Sequence, residues 1–315
     1  MLSASAVRRV FVAAVLAAAA VAAVPASAAP VEPLVSAQWL KDHLRDPQIA
    51  VIDVRMGAPV YDAGHIPGAV HSDYDKAGWR VSRNGVLQPP NKAELEKLIG
   101  ETGIDEDSHV IVVPAGVSAT DFGAAARVYW TLKVAGHPAV SILDGGFAAW
   151  QAAAYPVDTR KTVPTPKIFT SRFDEGVFAQ LNAVENNAHA TLVDARPVSY
   201  FDGKEKAAVS KAYGHIPGAI NLDSASFYDP ATNRLRPKNE LARIAAKLPA
   251  GPVVTYCNTG HWAATDWFVL SVVLGRPDVR LYDGSMVEWT ADPHRPVASS
   301  RTRLDDLKKT LGFGS

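Results

Sequence analysis

The sequence predicts a duplicated α/β fold: two open parallel sheets in tandem, each with helices on both faces. Two observations carry that expectation. Three short motifs recur once along the chain, in the same order, at offsets of 141, 150 and 139 residues. Each copy also alternates short apolar runs with segments of helical spacing, the pattern of strands wound through helices into a parallel sheet.

The first motif, Val51-Ile52-Asp53-Val54-Arg55, returns as Leu192-Val193-Asp194-Ala195-Arg196. The second, Gly64-His65-Ile66-Pro67-Gly68-Ala69, returns as Gly214-His215-Ile216-Pro217-Gly218-Ala219. The third, Leu143-Asp144-Gly145-Gly146 with Trp150, returns as Tyr282-Asp283-Gly284-Ser285 with Trp289. The second copy thus carries nine extra residues around Lys204–Lys211 and then loses eleven.

In copy one, 50–54 and 110–113 are apolar runs fit for buried strands. Segments 92–99 and 123–134 have helical spacing, the latter closed by Gly136. Copy two offers strands at 191–193, 219–222, 253–256 and 279–282. Its helices span 240–248 and 263–274, the second closed by Gly275. In Gly-His-Ile-Pro-Gly-Ala, proline sets φ and glycine permits positive φ, so the motif is a turn that launches a strand. His65 and His215 recur identically and are read as architectural.

Residues 1–28 are set apart as an export signal. Arg8 and Arg9 precede an Ala/Val run over 10–24, and Ala26-Ser27-Ala28 is a small-x-small cleavage site. The run is shorter than the ~20 residues a membrane span needs. Val7 before the arginine pair and the missing downstream lysine favour general secretion over twin-arginine export. A periplasmic or secreted protein follows, with no membrane association after cleavage. The rest divides into domain one at 33–152, a Pro/Thr/Lys linker at 153–172 and domain two at 173–298. No function is drawn from 301–315.

Composition narrows the chemistry. Hydrophobic residues make up 48% and charged residues 20%, as in ordinary globular chains. Lys+Arg and Asp+Glu both count 32, which leaves no basic excess for nucleic acid. A single cysteine rules out a disulfide scaffold and a cysteine-based zinc site.

That cysteine is where the copies differ chemically. Cys257 follows the apolar run 253–256 and precedes Asn258-Thr259-Gly260-His261-Trp262-Ala263 and a helix. Open α/β sheets bind ligands past the carboxyl ends of their strands. Backbone N–H groups at a helix start favour an anion, so the charged thiol is favoured there. Gly260 lets the loop curl its amides inward around an exposed sulfur, and the same amides would cradle a persulfide. In copy one, counting back from the third motif sets Ser118 opposite Cys257, while counting forward from the strand sets Ala115 there. Neither is a thiol, so copy one is read as structural, an interface wall for the site.

The paired D-x-R and Gly-His-Ile-Pro-Gly-Ala motifs, the linker and the lone cysteine loop resemble the tandem-domain rhodaneses. These are the thiosulfate and 3-mercaptopyruvate sulfurtransferases, and the resemblance spans roughly residues 33–295. It implies two rhodanese-like α/β domains with the active site in the second. It implies that the cysteine takes sulfane sulfur as a persulfide and passes it to cyanide or a thiol. No metal or organic cofactor is implied.

The loop departs from both branches. Thiosulfate enzymes have Arg and Lys after the cysteine, and mercaptopyruvate enzymes have Gly-Ser-Gly. Here Asn258-Thr259-Gly260-His261 matches neither. A second family arginine, four residues past Arg196, is Tyr200 here. Arg196 is expected to pair with Asp194 and organise the loop. Lys204 and Lys211 are expected in solvent. His261 could lend positive charge if protonated, and Trp262 could wall the pocket.

Rival chemistries fail on spacing. Cysteine phosphatases need Cys-x5-Arg to clamp phosphate, and the sixth residue after Cys257 is Ala263. Disulfide exchange wants a resolving cysteine, and the chain has none. The reading is a sulfurtransferase with thiosulfate as donor; mercaptopyruvate transfer and a non-turnover periplasmic sulfur carrier are the alternatives.

Overall fold

The computed structural model describes residues 31–187 and 189–300. The expected signal segment 1–28 and the tail 301–315 lie outside the described residues.

The first half runs β1 (Leu34–Val35), α1 (Ala37–His43), β2 (Ile49–Asp53), α2 (Ala58–Asp62) and β3 (Val70–His71). A hairpin of β4 (Val81–Arg83) and β5 (Val86–Gln88) follows, then α3 (Lys92–Glu101), β6 (His109–Val113), α4 (Ala119–Val134), β7 (Val140–Leu143) and α5 (Gly146–Ala152). The second half runs α6 (Leu181–Glu185), β8 (Thr191–Asp194), α7 (Val198–Phe201), β9 (Ile220–Asn221) and a hairpin of β10 (Tyr228–Asp229) and β11 (Arg234–Leu235). It ends with α8 (Lys238–Ala245), β12 (Val253–Tyr256), α9 (Trp262–Trp267), β13 (Val279–Leu281) and α10 (Ser285–Trp289).

The strands form two parallel sheets, ordered β1-β7-β6-β2-β3 and β13-β12-β8-β9. The repeat is therefore structural: β2, β3, β6 and β7 return as β8, β9, β12 and β13. The central β12 is buried along its whole length, which explains its largely apolar run; the hydroxyl of its one threonine, Thr255, is satisfied by donating to the Ala263 carbonyl at 3.0 Å.

The repeated turns behave as architecture. His65 stacks on Tyr61 with ring centroids 3.7 Å apart, and His215 on Phe201 at 3.6 Å. Each ring bonds through Nδ1 to the carbonyl of the residue it stacks on.

The two helices that follow the equivalent central strands differ in length. α4 has 16 residues and ends before Gly136, at φ +79°. Its counterpart has 6 α-helical residues followed by 6 in a π-helical turn, Phe268–Val273, and ends before Gly275 at φ +70°. About one helical turn has been deleted from the second copy.

These two helices pack on each other. Phe268 meets Tyr129 edge-on at 4.9 Å and Phe122 at 5.8 Å, so both halves share one core. From Val31 onward the chain forms a single compact unit. The segment between the halves, 153–172, carries no helix or strand beyond a bridge from Asp158 to His65. Val163 and Ile168 on it are exposed, while Phe169 is buried.

α9 also buries a carboxyl without help. Asp266 is fully buried and neither oxygen has a hydrogen-bond partner. Burial, reinforced by Asp223 and Asp194, pushes its pKa well above the ordinary value. An acid whose native pKa is raised contributes its full stability below the unfolded pKa and loses it as pH rises toward the native pKa. Each unit of elevation corresponds to about 1.4 kcal/mol. Asp266→Asn keeps the neutral form at every pH. Thermal unfolding is therefore expected to show the variant above the parent at pH 8, with the gap closing by about pH 4.

Candidate active site

Cys257 is the first residue past β12. Sheet register identifies its counterpart in copy one. Tyr256 pairs with Asp194 as Val113 pairs with Asp53. Next along the chain, the Cys257 carbonyl accepts from the Met286 amide at 3.1 Å, as the Pro114 carbonyl accepts from Phe147 at 2.8 Å. The counterpart is thus Pro114, and neither Ser118 nor Ala115. Counting back from the third motif overshoots by four because the missing helical turn lies between the loop and that motif.

Ser118 has another task. It caps α4, its hydroxyl accepting the Asp121 amide at 3.1 Å. Ser118→Ala is expected to cost about 1 kcal/mol of stability in urea unfolding while leaving turnover unchanged.

The loops that follow are equal in length, since Ser118 and His261 both precede the first helical residue. Their contents differ. In copy one the Asp121 carboxylate accepts from the amides of Ala115, Gly116 and Val117 at 2.9, 2.5 and 3.3 Å. That bowl is filled by its own chain. In copy two the corresponding residue is Ala264, which has no carboxylate to offer.

The second loop is instead stapled by Ser285. Its hydroxyl accepts from the amides of Cys257 at 3.0 Å and Gly260 at 3.1 Å and donates to the Tyr282 carbonyl at 2.9 Å. That uses the full capacity of a hydroxyl. Ser285 holds φ +51°, a conformation that copy one gives to Gly146 at +58°. The Gly260 amide therefore turns to Ser285 and not to the sulfur, a correction to the expected bowl. Cys257 itself is 1% exposed, not the open thiol the sequence predicts.

The first half does more than wall the site. Arg127 of α4 is fully buried, donates through Nη1 to the Gly260 carbonyl at 3.3 Å and through Nη2 to Asp283 at 3.4 Å. Burial lowers its pKa against the opposing pull of Asp283, yet a guanidinium stays charged at working pH. Burial likewise pushes Asp283 up to about 6, with Arg127 opposing.

The Tyr74 hydroxyl bonds to His261 Nδ1 at 2.8 Å, and His261 Nε2 bonds to the Thr120 carbonyl at 2.8 Å. Since a carbonyl only accepts, Nε2 carries the proton and Tyr74 donates to Nδ1. Burial lowers the His261 pKa to about 4, with Arg80 and Arg127 adding to the shift. His261 is therefore neutral near pH 7, so the protonation on which a positive charge there would depend is not met. Trp262 Nε1 donates to Thr120 Oγ1 at 3.3 Å, and Tyr200 meets the Trp262 ring edge-on at 6.1 Å.

The D-x-R pair sits beneath the loop. Arg196 holds Asp194 through Nε at 2.8 Å and Nη2 at 2.6 Å, and Nη2 also reaches the Gly214 carbonyl at 2.8 Å. Its Nη1 touches Asn258 Oδ1 at 3.4 Å, tying the residue after Cys257 to the sheet. Lys204 is exposed and pairs with Asp202, and Lys211 is exposed. Thr259 is half-buried, and Ala263 is buried in the first turn of α9.

Sequence reasoning missed Ser285, although the change from Gly-Gly to Gly-Ser in the third motif was its signal. It also missed Arg127, Tyr74 and Thr120. These reach the loop across 133 or more residues of chain, and no local pattern marks them.

Known proteins place this arrangement. The rhodanese-like domain family matches residues 36–153 and again 178–292. A thiosulfate sulfurtransferase of Corynebacterium glutamicum is 34% identical, over 88% of this chain and 93% of its own. A probable 3-mercaptopyruvate sulfurtransferase of Pseudomonas aeruginosa is 36% identical, over 84% of this chain and 98% of its own. The crystal structure of SseA from Escherichia coli, described as a 3-mercaptopyruvate sulfotransferase, superposes with a TM-score of 0.67 at 29% identity, covering 81% of this chain and 99% of that one. Relatives of both kinds support sulfurtransferase activity. With the duplicated sheet and the strand-end loops already in place, these matches show that the chain belongs to the rhodanese-like family, as a two-domain member.

Proposed function

We propose that this protein transfers sulfane sulfur from thiosulfate to cyanide or a thiol through a persulfide on Cys257. The observation that carries the reading is the contrast between the two loops. Copy one plugs its loop amides with Asp121, whereas copy two has Ala264 at that place and a sulfur at the strand end. With the Cys257 and Gly260 amides held by Ser285, the amides of Asn258 and Thr259, which face no carboxylate of their own, are the ones that suit an anionic sulfur.

In the first half-reaction the Cys257 thiolate attacks the outer sulfur of thiosulfate. An S–S bond forms to Cys257, the bond to the sulfonate sulfur breaks, and sulfite leaves with the electron pair. In the second, cyanide or a thiolate attacks that outer sulfur and the Cys257 thiolate is released. Cations on the cysteine loop support a dianionic donor: Arg127 Nη1 donates to the Gly260 carbonyl at 3.3 Å and Arg196 Nη1 reaches Asn258 Oδ1 at 3.4 Å. They stand in for the missing Arg and Lys of the loop.

The test compares thiocyanate formation from thiosulfate and from 3-mercaptopyruvate with the purified protein. We expect kcat/KM for thiosulfate to exceed that for mercaptopyruvate by at least about tenfold, about 1.4 kcal/mol in transition-state binding. The reverse preference overturns the donor assignment. No turnover with either, beside a stable gain of one sulfur in the protein mass, indicates a carrier. Release into the periplasm or medium, through removal of 1–28, belongs to the same proposal. N-terminal sequencing of the exported protein checks it.

A further inference from the structure

We infer that Arg127, from the first half, is a positioning residue for the Cys257 reaction: it clamps the cysteine loop across the interface and sets the positive field that an anionic reagent meets there. The geometry is specific. A Cβ built on Gly260 would lie 2.2 Å from Arg127 Nη1, so the loop has glycine where the guanidinium presses against it. Arg127 Nη1 donates to the Gly260 carbonyl, and its face lies over Trp130 at 4.5 Å.

The charge is only loosely answered. Good guanidinium–carboxylate bonds run about 2.7–2.9 Å, and the contact with Asp283 is 3.4 Å. Arg127 Nε is buried without a partner. Both groups are nearly fully withdrawn from water, where a charge acts over several ångströms with little screening. The other charged or titratable groups around it are Tyr74, Arg80 and Asp283. None of the residues from Asn258 to Ala263 is a lysine or arginine. The first half thus contributes a cation that the second half's own loop lacks.

The inference rests on Cys257 being the reactive thiol, not on which donor it takes. Cys257 is the only cysteine, so alkylation, which forms an Sγ–C bond and releases iodide, reports on it alone. The readout is the rate ratio of anionic iodoacetate to neutral iodoacetamide. A merely structural role changes both rates together.

Arg127→Met, similar in length but neutral, is expected to lower the ratio roughly tenfold, whereas Arg127→Lys, which keeps the charge but loses the fork and the stacking on Trp130, is expected to lower it by clearly less. Asp283→Asn removes the countercharge and is expected to raise the ratio. This opposite sign decides the matter if Arg127→Met does not fold. An unchanged ratio in the folded Met variant, or a fall in Asp283→Asn, overturns the assignment of Arg127. A native parent protein in which Cys257 reacts with neither reagent, although it reacts with both once unfolded in urea, overturns the reading of Cys257 itself.

Discussion

Cys257→Ser is expected to form no measurable thiocyanate from thiosulfate and cyanide, a loss of at least about 10⁴-fold. A hydroxyl is not ionised near neutral pH and forms no stable bond to sulfane sulfur, and among the described residues no base is bonded to the side chain at position 257 to activate it. Cysteine and serine differ little in size, and the position's backbone bonds to Ser285 and Met286 do not involve the side chain. The fold is therefore expected to survive, with an unfolding midpoint near that of the parent. Mass spectrometry after thiosulfate treatment provides a direct check: the parent gains one sulfur and the variant gains none. Activity near the parent's in the serine variant would end the persulfide mechanism.

Gly260→Ala carries the second large effect. Gly260 stands at φ +73°, where an L-residue costs roughly 1–2 kcal/mol. The added Cβ would also meet Arg127 Nη1 at 2.2 Å and the Asp283 backbone at 2.9 and 3.0 Å. Arg127 could shift, but the Asp283 backbone is held in the turn between β13 and α10. We expect about 3 kcal/mol of destabilisation in urea unfolding, together with a fall in kcat, because the loop must move away from the clamp. Gly218→Ala is the control. Its φ is +81° but nothing lies within 4 Å of the added Cβ, so only the backbone cost of roughly 1 kcal/mol is expected, with turnover retained. Equal losses for the two variants would show that contact with Arg127 and Asp283 contributes nothing.

Much of this protein is legible one segment at a time. The apolar runs at 50–54, 110–113 and 253–256 are strands within a residue at each end, because buried parallel strands leave no polar face to interrupt them. The paired turns and D-x-R motifs announce the duplication, and position alone marks Cys257. The helix at 263–274 is legible as a helix, but its π-helical second half is not, since apolar spacing does not distinguish the two windings over six residues.

By itself the sequence determined the repeat, the sheet class, the strand-end cysteine and the loop that follows it. These are carried by spacing, glycine and proline dihedrals and apolar periodicity, all of which act over a few residues. Tertiary structure alone decided that Pro114 is the cysteine's counterpart, that Asp121 plugs the first loop, that the thiol is buried and that His261 is neutral. It also decided that Arg127 and Tyr74 reach the second loop from the first half. These outcomes depend on hydrogen bonds and desolvation between groups up to 187 residues apart, which meet only once the two sheets share one core.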